Sequence, residues 1–269
     1  MPPAIALGEG TDFSMNLRRA FCIAGLAGLV LASSTWAQKP TDKPVVTKVR
    51  IGAEDDWRPY AYVQAGQPAG FAVDLVRAAW EAAGVEVELV PLPYARCMRE
   101  VEAGKLAGCF DTLRDARTED KYLWHKYHLF RARIGIYGRN DGPADPVNVQ
   151  ALRGKRVGVT NGYDYGTAFD DDPTMVRDVA ASDLTSLRKL VAGRVDYALV
   201  FDRVATEIAA NNPTLGQGFR LRGVLLEPSL YLSFSKKFPG VEPLIARFDA
   251  GLDKIRKNGE YARIEARWR

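Results

Sequence analysis

The sequence predicts an α/β protein of two lobes facing a cleft, and three observations carry that prediction. Strand-like and helix-like segments alternate from residue 46 onward at a pitch suited to parallel sheets. The alternation is interrupted by a Gly-, Pro- and Asp-rich run at 140–146 and then restarts. The stretch after residue 226 holds too little strand to stand alone, so it is expected to return to the first lobe. The expected division is 45–137 plus 227–269 for one lobe and 138–226 for the other. A cleft between such lobes is a usual place for a small ligand.

In chain order, 46–53 reads as a strand, followed by a loop rich in aromatics and charge over 54–70. Asp74 opens a helix to residue 83, with Leu75, Ala78, Ala79 and Ala82 on one face at helical spacing. A strand at 85–92, a helix at 94–103 closed by Gly104, and a strand at 106–110 follow. Next come a polar turn at Asp111 and Thr112, a one-turn helix carrying Arg117, the aromatics Tyr122, Trp124 and Tyr127, and a strand at 134–137. Beyond the break, strands are expected at 155–159, 175–179, 195–201, 219–225 and 230–234. Helices are expected at 183–192, 204–210, 241–255 and 260–268, and a Gly-containing turn at 160–166.

Before all of this stands an address. Arg18 and Arg19 follow Met15 and precede an apolar run over 20–32, with small residues leading to Ala37. That is the layout of a secretory signal peptide over 1–37, cleaved near Ala37–Gln38, too short and wrongly flanked for a membrane span. The fourteen residues ahead of Met15 read as an upstream start or a non-native extension. Residues 1–37 carry two acids and two bases, so the net charge stays at +4 without them. That mild value, with no basic block, argues against nucleic acid as a partner.

Of the three cysteines, Cys22 precedes the apolar run, on the wrong side for lipid attachment. Cys97, early in a helix, and Cys109, late in the next strand, are near enough for either a disulfide or two buried thiols. The two histidines, His125 and His128, lie among aromatics and read as packing residues, and neither a metal nor a cofactor is expected. The sequence contains no G-x-S-x-G, H-E-x-x-H, C-x-x-C or P-loop pattern.

Chemistry concentrates at 107–127. A strand that ends in carboxylate and hydroxyl, followed by a guanidinium, suits capture of a small anion, because Arg holds a carboxylate with two parallel charge-assisted bonds. The plain alternative is a solvated surface arginine.

The segment IGAEDDWRPYAYVQAGQPAGFAVDLVRAAWEAAG resembles the opening of the bacterial extracellular solute-binding proteins, family 3. The likeness continues through the Thr-x-x-x-x-Arg segment ending at Arg117, LRGKRVGVTNGYDYG, AGRVDYALVFD and LYLSFSKKFP, in the family's order over nearly all of the mature chain. It implies the two-lobed periplasmic binding protein fold of type II, with a two-crossing hinge. It also implies a periplasmic monomer that captures an amino acid or similar solute and delivers it to an inner-membrane ABC permease. Carried over one at a time, Arg117 and the hydroxyl of Thr112 would hold the ligand α-carboxylate, and Asp202 the α-ammonium. Trp57 would pack on the ligand side chain, with the acid Glu54 just before it. Thr160 and the turn with Tyr163 and Asp164 would face the carboxylate. Tyr94, Phe110 and Asp111 would complete the ligand-facing set, together with Arg96, which matches no standard role in the family and either tunes selectivity or is simply solvated.

The chain departs from the family pattern at Ala107 and over 123–127. Glu54, Asp111 and Asp202 point toward a basic or polar ligand, while Arg96 points toward an acidic one, so the ligand stays open. A binding protein is expected over an enzyme. The alternatives are a prephenate-type dehydratase on the same fold, with Glu54 or Asp202 as the acid, and a sensor that docks on a receptor. In the expected arrangement a zwitterion bridges two opposite charges, one per lobe, and its binding closes the hinge.

Overall fold

The computed structural model describes residues 48–269, so the expected signal peptide and Cys22 lie outside the described residues. The first strand, β1 (Val49–Glu54), is buried except at Arg50. A short antiparallel meander follows, β2 (Asp56–Trp57), β3 (Ala61–Gln64) and β4 (Gln67–Ala69), where the sequence predicted only a loop. Its strands are too short for a periodic signal to register. Helix α1 (Phe71–Ala82) starts three residues before Asp74, because Phe71, Ala72 and Val73 are buried and extend its apolar face. Then come β5 (Val87–Leu92), α2 (Tyr94–Glu102), β6 (Gly108–Leu113), β7 (Leu123–Trp124), β8 (Phe130–Arg131) and β9 (Ile134–Arg139).

The second half continues with β10 (Arg156–Thr160), α3 (Thr167–Asp170), β11 (Val176–Ala180), α4 (Asp183–Val191) and β12 (Tyr197–Phe201). After these come α5 (Asp202–Asn211), α6 (Pro213–Gly216), β13 (Phe219–Leu226), β14 (Ser229–Phe234), α7 (Val241–Lys257) and α8 (Glu260–Arg267).

Two mixed sheets result. In the first, the order is β5-β1-β6-β14-β7, with β8 also on β14; β1 runs parallel to β5 and β6, and β14 returns antiparallel. In the second, the order is β11-β10-β12-β9-β13, with β9 antiparallel to both β12 and β13. The chain therefore leaves the first sheet between Arg131 and Ile134 and returns between Leu226 and Ser229. This corrects the expected boundary: residues 134–137 belong to the second sheet, and the run at 140–146 is a loop within that half. The crossing residues, Ala132 and Arg133, include no Gly or Pro, and β9 is placed in the second sheet by pairing with β12 on one side and β13 on the other.

Two further corrections lie near the predicted anion site. Asp111 and Thr112 are part of β6, not a turn after it. Arg117 sits in a turn, not a helix, because Asp115 Oδ1 accepts the backbone N–H groups of Arg117 and Thr118 at 2.9 and 3.3 Å. Asp side chains favour such local bonds over helix.

Cys97 of α2 and Cys109 of β6 form a disulfide, and Gly52 of β1 makes room for it, since a Cβ there would meet Cys97 Sγ at 2.1 Å. The bridge pins together the two elements that carry Tyr94 and Asp111. Its removal as Cys97→Ala/Cys109→Ala is expected to lower stability by about 3 kcal/mol through the 12-residue separation it closes. A denaturant titration of variant against parent checks this, and matching midpoints would refute it.

Candidate functional site

The carboxyl ends of β1, β6, β10 and β12 converge, as ligand-binding strand ends do in open α/β sheets. Between them lies a cavity of ≈ 20 Å³ lined by Glu54, Trp57, Tyr94, Asp111, Leu113, Tyr163, Asp164, Phe201 and Leu230. That volume admits about one water. An amino acid enters only if the two sheets separate.

The closed arrangement is held from both sides. The Tyr163 hydroxyl, from the turn after β10, donates to Glu54 Oε1 at the end of β1. Tyr94 meets Tyr163 edge-on at 5.3 Å, and Trp57 meets Phe201 edge-on at 4.9 Å. Gly162 lets the turn approach this closely: its φ is 83°, and a Cβ there would lie 2.7 Å from that of Ala95 on α2.

The electrostatics of this cavity are those of acids without bases. Asp111 is 8 % exposed, sits at a left-handed φ of 68°, and neither of its carboxylate oxygens has a hydrogen-bond partner among the described residues. Burial drives its pKa well up. Burial does the same to Glu54, opposed by the Tyr163 hydrogen bond and reinforced by the charges of Asp183 and Asp111. Asp164 rises to about 6, chiefly through burial and then through Asp170, against the pull of Arg117. Asp183, which accepts the Thr160 hydroxyl at 2.6 Å, rises to about 7 through burial. A buried charge is costly unless paired, and a left-handed non-glycine residue is a strained position of the kind that clusters at functional sites.

Half of the ligand-facing set read from the sequence lines this cavity: Glu54, Trp57, Tyr94, Asp111, Tyr163 and Asp164. The other residues do not. Phe110, adjacent to Asp111 on β6, is wholly buried in the apolar core. The Thr112 hydroxyl lies 3.0 Å from Ser233 Oγ and bonds the Cys109 carbonyl, so it ties β6 to β14. Thr160 is occupied by Asp183 and by the Tyr165 hydroxyl. Arg96 is exposed on α2, 4.0 Å from Glu100 one helical turn on.

Arg117 and Asp202, read as the two ends of a zwitterion trap, each meet a partner from their own chain. Arg117 Nη1 donates to Asp171 Oδ1 at 3.3 Å, and its Nε lies 3.7 Å from Asp164 Oδ1, both acids belonging to the second half. Asp202 accepts from Arg133 Nε through one oxygen and from the Tyr137 hydroxyl, at 3.2 Å, through the other. Neither residue lines the cavity. Leu113, Phe201 and Leu230, which do, were missed, because apolar residues in strands carry no mark that separates a cavity wall from a core.

Among the described residues no group of His, Cys, Asp or Glu is arranged to hold a metal ion. A second pocket of ≈ 460 Å³ lies beside the first and is lined by Asp56, Arg58, Asp183, Glu207, Asn211 and Asn212 among others.

Comparison with known proteins matches residues 49–269 to the model described as bacterial extracellular solute-binding proteins, family 3. An L-arginine-binding protein of Pseudomonas aeruginosa is 28 % identical over 264 residues, 94 % of this chain and 96 % of that one. An ancestral arginine-binding protein solved with arginine superposes with a TM-score of 0.71 at 22 % identity, over 82 % of this chain and 97 % of that one. A histidine kinase sensor domain with similarity to periplasmic binding proteins gives the same TM-score at 23 % identity, over 82 % of this chain and 95 % of that one. At such identities the two solved structures speak to the fold alone.

Proposed function

Since this chain belongs to the bacterial extracellular solute-binding proteins, family 3, we propose that it captures a small cationic solute, a basic amino acid or a close relative, and hands it to an inner-membrane ABC permease. The capture site is the cleft at the ends of β1, β6, β10 and β12. The periplasm is its place of action, and it works as a monomer. Residues 48–132 with 228–269 form one lobe and 133–227 the other.

The observation that carries this reading is the Asp111 carboxylate, buried, held in a left-handed conformation and without a partner among the described residues, next to Glu54. A positive group entering the cavity gives both acids a counter-ion, and the aromatic walls of Trp57, Tyr94, Tyr163 and Phe201 suit the cation and its carbon chain alike. Because the ligand touches both halves only in the closed form, its binding favours closure by its differential affinity. The relative named for L-arginine supports the same charge class.

A thermal-shift screen of the mature protein against the amino acids tests this. A rise in melting temperature with basic members, and none with acidic ones, is expected; a response confined to acidic or apolar members would refute it. The fold, shared with a sensor domain, also accommodates a second reading, docking on a membrane receptor. Loss of solute uptake in a deletion strain, with signalling intact, would select the permease.

A further inference from the structure

Two charges anchor a zwitterion, and in this cleft both of the candidate anchors are already neutralised by the protein. Arg117 faces Asp164 and Asp171, and Asp202 faces Arg133 and Tyr137. A ligand carboxylate at Arg117 would compete with those two acids for the guanidinium each time the halves close, so the Coulomb energy it gained would be partly offset.

The rest of the site is acid. Glu54, Asp111 and Asp164 line the cavity, and among the described residues no cationic side chain does. Asp183 stands just behind them, close enough that its charge acts on Glu54, with its Oδ2 buried and unpartnered. It also lines the neighbouring 460 Å³ pocket, where Asp56 and Glu207 add two more carboxylates. Among the described residues the one cation lining that pocket is Arg58, whose guanidinium stacks on the Tyr62 ring at 3.5 Å. Carboxylates therefore dominate both the cavity and the second pocket, with Asp183 between them, giving places for two positive centres and none for a negative one.

Resting on the reading of this cleft as a site for a small cationic solute, we propose that its preferred ligand is an aliphatic dication without a carboxylate: a diamine, or an amine joined to a guanidine. One positive group would sit between Glu54 and Asp111, among the rings of Trp57, Tyr94 and Tyr163. The other would lie toward Asp183 and the outer pocket. Arg117 is then a latch between the halves, paired with Asp164 and Asp171 and not with the ligand.

Agmatine and L-arginine share the guanidine and the carbon chain and differ in the carboxylate, so the pair isolates the question. Isothermal titration calorimetry of the mature protein with agmatine, putrescine and L-arginine at pH 8 is expected to give agmatine the tighter binding over arginine, by about tenfold for the loss of one buried like-charge contact. Arginine bound as tightly as agmatine, or more tightly, overturns the inference and leaves the capture of cationic solutes standing. Failure of all three to bind, together with no response to basic amino acids, overturns both.

Discussion

Asp111→Asn is expected to weaken binding of the cationic ligand by about 100-fold and, at the same time, to raise the melting temperature of the ligand-free protein at pH 8. Asn is nearly isosteric with Asp and tolerates the left-handed backbone equally well, so the substitution removes charge and little else. Stripping one member from a buried ion pair costs about 3–5 kcal/mol, and the 100-fold loss corresponds to roughly 2.7 kcal/mol. The smaller figure applies here because Glu54 still faces the cation. Without ligand the sign reverses: a buried, partnerless carboxylate destabilises the native state, and a neutral amide in its place relieves that by about 1 kcal/mol or more. Calorimetric titration and differential scanning calorimetry read the two effects separately. A variant that bound normally would remove Asp111 from the site, whatever happened to its stability.

Lowering the pH from 8 to 5 is expected to weaken ligand binding steeply. The acids that would hold the cation must be ionised to do so, and burial has raised them: Asp183 to about 7, and Glu54 and Asp111 well above their ordinary values. Each proton that ligand must displace contributes about tenfold in affinity per pH unit below the relevant pKa. Titrations in buffers of different ionisation enthalpy count those protons directly. Affinity that stayed level across pH 5–8 would rule the acids out as ligand contacts.

Stability of the ligand-free protein responds in the opposite sense. Asp183 binds its proton more tightly folded than unfolded, so its contribution is full below its ordinary 3.8 and is lost as pH rises through about 7, on the order of 4 kcal/mol. His125 acts against this at the acid end. It is wholly buried, accepts the Leu232 N–H at 2.9 Å, and burial pulls it down to about 3. Its share is therefore present above the ordinary value of 6.5 and is lost as pH falls toward 3.

The sequence carried the two-sheet architecture because that is a matter of local period and punctuation. Gly104 and Gly193 do close helices, and Ser182 caps α4 by accepting the Thr185 N–H. The crossing at 132–133 was illegible, because Ala132 and Arg133 give no Gly or Pro to mark it, while the Gly- and Pro-rich run a few residues later is only a surface loop. At the cleft, residue types were readable and pairings were not. Glu54, Asp111 and Asp202 stood out as acids, but the partners of Arg117 at 164 and 171 are set by how the halves close, and the Arg133–Asp202 pair by the packing of β9 against β12. At Asp111 the sequence suggested a turn, and the left-handed backbone that Asp tolerates is indeed there, but within β6 and not after it.

Trp57 meets Phe201 edge-on across the boundary between the sheets, and its indole nitrogen is shielded from water without a partner. Parting of the two halves would hydrate that indole first. The protein thus carries an intrinsic optical gauge of its own opening: tryptophan emission should shift to the red as the cleft gapes and back to the blue as it shuts, with no label attached.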